Sequence, residues 1–390
     1  MPQFKLISAD SHVNEPPAAW DRVQKSYGDK APRVVKDPPG VAKGMWLVME
    51  GLPPMGCSHY SIGMVVSKEK GISEVEAAKY AKTINFMENF RYEDYPSGWD
   101  PAARLQAQDR DGVEAEVLFP SPSRHFYALA DEPLQRAIFH SYNDWINDFC
   151  SASPQRLAGL AVISILDVEH AVEDILHYAR LGFRGILLPT RIRDGAFYDP
   201  RYEPIWAAAE EAGMVVNVHT NTTQGTARTH FTGPREKDPR QQRLGFALKQ
   251  APAQEFVGAL VFSGVFDRHP KLKVVCAEFD VGWVANLVQK VDYWFDRDSA
   301  YDSDLNLNRL PPSHYLKNNV FFTYQDDRAG VLTTPVYGAD NFLWANDFPH
   351  GVTSWPYSKE TVDRNCEGID PDVKWKINRE NVNRLYSLGL

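Results

Sequence analysis

The chain has 390 residues, of which 43% are hydrophobic and 12% aromatic, enough for one large barrel with insertions or for two ordinary domains. A formal charge of -9, with no Lys/Arg block interleaved with aromatics, argues against a phosphate-binding surface, so nucleic acid is not an expected partner. Four scattered cysteines without a CxxC pair fit neither a zinc ribbon nor a disulfide framework. No run reaches the roughly 18 apolar residues of a membrane span, so the expectation is a cytoplasmic protein in a reducing compartment, with no membrane partner.

In chain order, eight runs rich in Val, Ile, Leu and Phe read as buried strands: 4–9, 115–119, 157–165, 185–188, 214–218, 273–277, 320–324 and 341–345. Stretches with helical spacing fall between them, at 101–111, 131–151, 168–181, 202–213, 250–268, 282–296 and 371–386. Near-continuous apolar strands alternating with helices imply a parallel sheet covered on both faces, and eight of them imply a single (β/α)8 TIM barrel spanning residues 1–390. The segment 14–99, with Pro16-Pro17, Pro38-Pro39 and Pro53-Pro54, is far longer than a βα connection needs. It reads as an insertion after the first strand that serves as a lid or a subunit contact. Two further irregular stretches, 221–244 and 299–313, follow the fifth strand and precede the seventh.

In such a barrel the chemistry belongs at the C-terminal ends of the strands. The first strand ends in Asp10-Ser11-His12, whose first and third residues share a face. The fifth delivers His219, the sixth Glu278, and the eighth Asp347 with His350 three residues on. All are ligand types for Zn, Mn or Fe, so a divalent metal cofactor is expected. Weaker candidates for substrate contact are His125 after the second strand, Tyr324 at the end of the seventh and Arg191 after the fourth. Glu15, just beyond His12, reads equally as a support for the ligands or as a turn former before the prolines.

The motifs Asp10-Ser11-His12-Val13-Asn14-Glu15-Pro16, Asp111-Gly112-Val113, Phe266-Asp267-Arg268-His269-Pro270, Asn346-Asp347-Phe348-Pro349-His350 and Asn378-Arg379-Glu380-Asn381 together resemble the amidohydrolase-related branch of the amidohydrolase superfamily. This is the branch that includes aminocarboxymuconate-semialdehyde decarboxylase. The resemblance implies a distorted barrel with a divalent metal at the strand ends. The family's first-strand His-x-His looks like Asp10-Ser11-His12, its fifth-strand His like His219 and its eighth-strand Asp like Asp347. Two positions depart from the pattern: Asp10 replaces the first histidine, and Glu278 replaces the sixth-strand histidine that resembles a general acid/base in such decarboxylases.

The implied activity is metal-assisted hydrolysis or nonoxidative decarboxylation of a small organic substrate, with Asp347 or Glu278 moving the proton. Because a glutamate beside a metal is also suited to bridging two ions, the set Asp10, His12, His219, Glu278, Asp347 and His350 is large enough for one or two metals. The alternative is then a dioxygen-dependent monooxygenase with a dinuclear Fe or Mn/Fe site. A structural subunit of such an enzyme is the non-catalytic alternative, and a homo- or hetero-oligomer with a related chain is the expected assembly.

Overall fold

The computed structural model describes residues 4–57, 86–224, 244–245, 247–301 and 308–390. Parts of all three irregular stretches, including His59 and His230, lie outside them. The first strand, β1 (Leu6–His12), is buried throughout. It is followed by three short strands within the insertion, β2 (Arg33–Lys36), β3 (Met45–Met49) and β4 (Leu52–Gly56), which form a small antiparallel sheet. The remaining strands are β5 (Val113–Phe119), β6 (Leu157–Gly159), β7 (Ala161–Val162), β8 (Gly185–Leu188), β9 (Val215–His219), β10 (Val274–Ala277), β11 (Val320–Tyr324) and β12 (Phe342–Trp344).

Each of the eight expected strands is present, and they pair in parallel as β1-β5-β6 and β7-β8-β9-β10-β11-β12. The expected strand 157–165 is interrupted at Leu160, so that β6 stays with β5 and β7 steps across to β8. Leu160 N donates to Leu118 O and Ile163 N to Leu187 O, which carries the backbone pairing over the break. Between β12 and β1 no ladder forms among the described residues. That seam is instead bridged beyond the end of β12, where Asp347 N donates to Asp10 O at 3.0 Å and His12 N to Phe348 O at 2.6 Å.

The helices fall where the apolar spacing places them, including Pro101–Asp111, Glu132–Ser151, Val168–Arg180 and Glu203–Glu211. Asp100, Asp131 and Asp167 cap the first three by accepting from backbone N–H groups in the first turn. The expected helix 371–386 is built of Pro371–Trp375, a π-helical turn Lys376–Glu380 and Asn381–Leu385. Its end reaches under the barrel, where Tyr386 donates to Asn217 Oδ1 at 2.5 Å. No helix among the described residues is long and apolar enough to cross a membrane.

The insertion leaves and returns at one place, since Asn14 N donates to Gly98 O at 2.8 Å. Its described part packs on the barrel rather than standing apart. Trp20 is fully buried against Phe126, with ring centroids 5.5 Å apart, and Ser141 of the helix Glu132–Ser151 donates to Ala19 O.

Close packing of the barrel interior depends on small residues. A Cβ at Gly185 of β8 would lie 2.8 Å from Leu160 Cδ2 and 2.9 Å from both Asn217 Nδ2 and Val215 O. Val215 O is backbone of the adjoining strand and Asn217 Nδ2 is held by Ile186 O and Val215 O, so neither can easily yield. Gly185→Ala is therefore expected to destabilise the fold by about 1–3 kcal/mol, measured as a lower urea midpoint at unchanged slope. An unchanged midpoint would show that the strands move apart freely here.

Candidate metal centre

The strand ends converge on one buried cluster. On β1 the pairing with β5 runs from Ser8↔Glu116 to Ser11↔Leu118, three steps against two, so β1 carries a bulge that re-aims the side chains beyond it. Asp10 and His12 emerge from this bulge at 1% and 0% exposure. His219 ends β9 and is fully buried. Glu278 follows β10 and Asp347 follows β12, both in left-handed backbone at φ 65° and 53°. Non-glycine residues in this region cost about 1–3 kcal/mol each and tend to mark functional positions.

The ligand atoms crowd together. His12 Nε2 is 3.1 Å from His219 Nε2, 3.4 Å from Asp10 Oδ1 and 3.5 Å from Asp347 Oδ1. His219 Nε2 is 3.5 Å from Asp10 Oδ2 and 3.3 Å from Glu278 Oε2. Two atoms bound to one ion at about 2.0–2.2 Å are separated by roughly 3.0–3.5 Å, so these spacings suit a shared cation.

The tautomers agree. His12 Nδ1 sits 3.0 Å from Pro120 O and His219 Nδ1 2.8 Å from Thr220 O. A carbonyl only accepts, so both Nδ1 atoms carry the proton and both Nε2 lone pairs face the cluster, the arrangement that orients a metal-binding imidazole. Asp10 Oδ1 and both oxygens of Asp347 are buried without a hydrogen-bond partner, although imidazole nitrogens approach them closely. Acceptors aimed at acceptors in a buried space are costly unless a cation lies between them. The residues present therefore fit a divalent ion. Two overlapping groups meet the spacing, Asp10-His12-His219 and His12-Asp347-His350.

Burial, with His350 and His219 as neighbours, holds His12 well below the ordinary imidazole range. Burial, with the Arg124 charge, pushes His350 down to about 3. Neutral imidazoles are the metal-binding form. The two carboxyl groups diverge: burial, Glu278 and Asp10 raise Asp347 well above the usual carboxylate range, whereas His219, Arg124 and His350 outweigh burial at Glu278 and bring it to about 2. Thr220 Oγ1 donates to Glu278 Oε2, and Thr323 Oγ1 accepts from Glu278 N. His350 stacks on His12 with centroids 3.8 Å apart and lies 2.7 Å from Asp347 Oδ1.

The weaker candidates fall elsewhere. Tyr324 is buried and donates to Asn378 Oδ1 of the C-terminal helical segment, so its hydroxyl is committed to packing and does not point into the mouth. The Arg191 guanidinium is paired with Glu255 at 2.6 Å, which neutralises the charge proposed for a substrate carboxylate. His125 lies half-buried in the turn Ser123–Ala128. Its neighbour Arg124 is the residue that reaches the cluster: it is 7% exposed, with Nη1 3.2 Å from His219 Nδ1. Because that nitrogen carries a proton, Arg124 is a charged neighbour of the ring and not its donor. Glu15 shapes this turn, accepting from Ser121 N, Ser123 N and Ser123 Oγ, and burial raises it to about 7.

The sequence matches the description of the amidohydrolase family over residues 9–388. The chain belongs to the amidohydrolase family. Among curated members it is 24% identical over 312 residues to the gamma-resorcylate decarboxylase of a Rhizobium species, covering 73% of this chain and 86% of that protein. It is 25% identical over 256 residues to the 2-amino-3-carboxymuconate-6-semialdehyde decarboxylase of Dictyostelium discoideum, covering 64% and 67%. A solved amidohydrolase from Mycobacterium avium subsp. paratuberculosis superposes with a TM-score of 0.76 at 21% identity, covering 99% of this chain and 100% of the other. A 5-carboxyvanillate decarboxylase variant from Novosphingobium aromaticivorans, solved with manganese and 3-methoxy-4-hydroxy-5-nitrobenzoic acid, superposes with a TM-score of 0.64 at 18% identity, covering 98% and 97%. These likenesses establish the amidohydrolase barrel, whose first and last strands meet at the cluster described above.

Proposed function

We propose that this amidohydrolase is a metal-dependent, nonoxidative decarboxylase of a small hydroxylated aromatic acid. The observation that carries the reading is the convergence of the Asp10, His12, His219 and Asp347 ligand atoms beside the Arg124 cation. Asp10, His12 and His219 would hold a divalent ion, with Asp347, Glu278 and His350 in reach. When bound, the ion supplies Lewis acidity toward a substrate oxygen. The names of the curated relatives support the reaction, and the manganese and hydroxybenzoic acid of the 5-carboxyvanillate decarboxylase structure support the metal and the substrate class.

The chain's own groups divide the remaining work. Arg124 would bind an anionic oxygen of the acid through charge-assisted hydrogen bonds. Carboxyl groups whose environments drive them apart are the natural acid and base of a site. Asp347, whose carboxyl is raised above the usual carboxylate range by burial and by the Glu278 and Asp10 charges, would deliver a proton from a carboxyl oxygen to the ring carbon that bears the carboxylate. The carbon–carbon bond then breaks, its electron pair restores the aromatic ring, and carbon dioxide leaves. Glu278, ionised and 27% exposed at its side chain, faces the mouth, where it orients the substrate. Phe119 lies against both imidazoles, with centroids 5.9 Å from His12 and 5.1 Å from His219, and makes that side of the cluster apolar.

Two ligand triads that share His12 favour one second reading, two ions and dioxygen chemistry. A single experiment separates the readings: the protein is loaded with Mn2+ and incubated without oxygen with a panel of 2-hydroxy- and 4-hydroxybenzoic acids, and released carbon dioxide is measured. Release under anaerobic conditions, lost on chelation and restored by Mn2+, is expected. No release without oxygen, but turnover with dioxygen uptake once air is admitted, would overturn decarboxylation in favour of the oxygenase. Tight metal binding without turnover of any kind would favour a structural subunit.

A further inference from the structure

The seam between β12 and β1 is where the two halves of the metal site meet, yet among the described residues no ladder holds it. Side chains reinforce the two backbone hydrogen bonds there. Arg104, in the helix Pro101–Asp111, has no exposed surface. Its Nη1 donates to His12 O at 2.7 Å and its Nη2 to Phe348 O at 3.3 Å. The guanidinium thus grips the residue that ends β1 and the residue directly after Asp347. Its face also lies 4.6 Å from the Phe348 ring centroid.

The fork is fixed from behind. Arg104 Nε donates to Glu116 Oε2 at 2.6 Å, Gln108 Nε2 donates to the same oxygen at 2.8 Å, and Asn346 Nδ2 donates to Glu116 Oε1 at 3.1 Å. Asn346 Oδ1 in turn accepts from Ser8 Oγ and Ser11 Oγ of β1 at 3.1 and 2.6 Å, and from Phe348 N at 3.2 Å. Arg104, Glu116 and Asn346 therefore form one buried network that straddles the seam beneath Asp10, His12 and Asp347.

We infer that Arg104 is a positioning residue that sets the affinity of the site for its metal ion, by pinning the His12 and Phe348 carbonyls together across the β12–β1 seam. This rests on the proposed metal centre and deepens it. A planar fork can hold two carbonyls and a carboxylate at fixed angles; a lysine ammonium keeps the charge but not the geometry. Groups that orient ligands without touching the ion typically change metal affinity by about 10- to 100-fold.

The test is Mn2+ binding to the purified full chain, measured by calorimetry for the wild type, Arg104→Lys and a control, Arg136→Lys. Arg136 makes a comparable forked pair with Asp174 on the outside of the barrel. Arg104→Lys is expected to bind Mn2+ about 10- to 100-fold more weakly while its circular dichroism stays native, and Arg136→Lys is expected to bind as the wild type does. A folded Arg104→Lys with wild-type affinity would overturn the inference, since a residue that only stabilises the core would lower the melting temperature without moving the affinity of the folded protein. If Arg104→Lys does not fold, Glu116→Gln carries the test. It removes the carboxylate that fixes the Arg104 fork from behind, and unchanged affinity there would equally overturn the inference. A wild type that binds no Mn2+ would instead refute the metal centre itself.

Discussion

Replacing His219 with alanine is expected to abolish metal binding and turnover together while the barrel remains folded. His219 Nε2 lies within 3.1–3.5 Å of ligand atoms from Asp10, His12 and Glu278, so its removal breaks the Asp10-His12-His219 group at its centre. The loss of Mn2+ affinity should exceed the roughly 100-fold that removal of an outer supporting residue costs. The strand beneath it is secured independently, because Val215, Val216 and Val218 are buried and β9 pairs on both sides. Elemental analysis of the folded variant decides the matter: metal content equal to that of the wild type would remove His219 from the ligand set.

Asp347→Asn is expected to behave differently, retaining metal and losing chemistry. Asp10, His12 and His219 form a group on their own, so binding stoichiometry should survive. What the asparagine lacks is the titratable carboxyl group that the proposed mechanism uses to move the proton, one raised above the usual range by burial and by the neighbouring Glu278 and Asp10 charges. Loss of a positioned acid costs about 10²–10⁴-fold in rate, so kcat should fall by that factor with little change in the metal content of the purified protein. A variant with wild-type kcat would show that the proton comes from another group. Loss of metal instead would mean that Asp347 is an indispensable ligand.

The barrel was legible in the sequence because parallel strands buried on both faces read as short, near-continuous apolar runs, and Val320–Tyr324 and Gly185–Leu188 are such runs. The antiparallel strands of the insertion were not legible. They are half-buried, carry no clean alternation, and one contains Pro53-Pro54, which ordinarily argues against a strand. The cluster residues were found because they terminate buried strands.

Arg124 was missed because it sits in a 3-10 turn, and most loop arginines are solvated. Only its position beyond a strand end, in Ser-Pro-Ser-Arg, could have drawn attention. Tyr324 ends its strand too, but its side chain goes to the helical layer, a distinction that strand-end position alone does not make. Arg104 had a readable sign of a different kind. Glu116 is a fully buried charge between Ala115 and Val117 in β5, and a buried carboxylate needs a buried partner; the helix just before it supplied the arginine.

The seam between the first and last strands also bears on how the molecule comes to be assembled. Asp10 and Asp347 are joined by some of the longest-range contacts in the chain, and as the polypeptide emerges the early residues must wait for nearly all the others before their partners exist. An ion held by Asp10 and His12 of β1 together with His219 of β9 would bind the finished ring and not its open precursors. It would therefore act as a latch on the final step of folding, favouring the closed ring in proportion to its concentration over its dissociation constant.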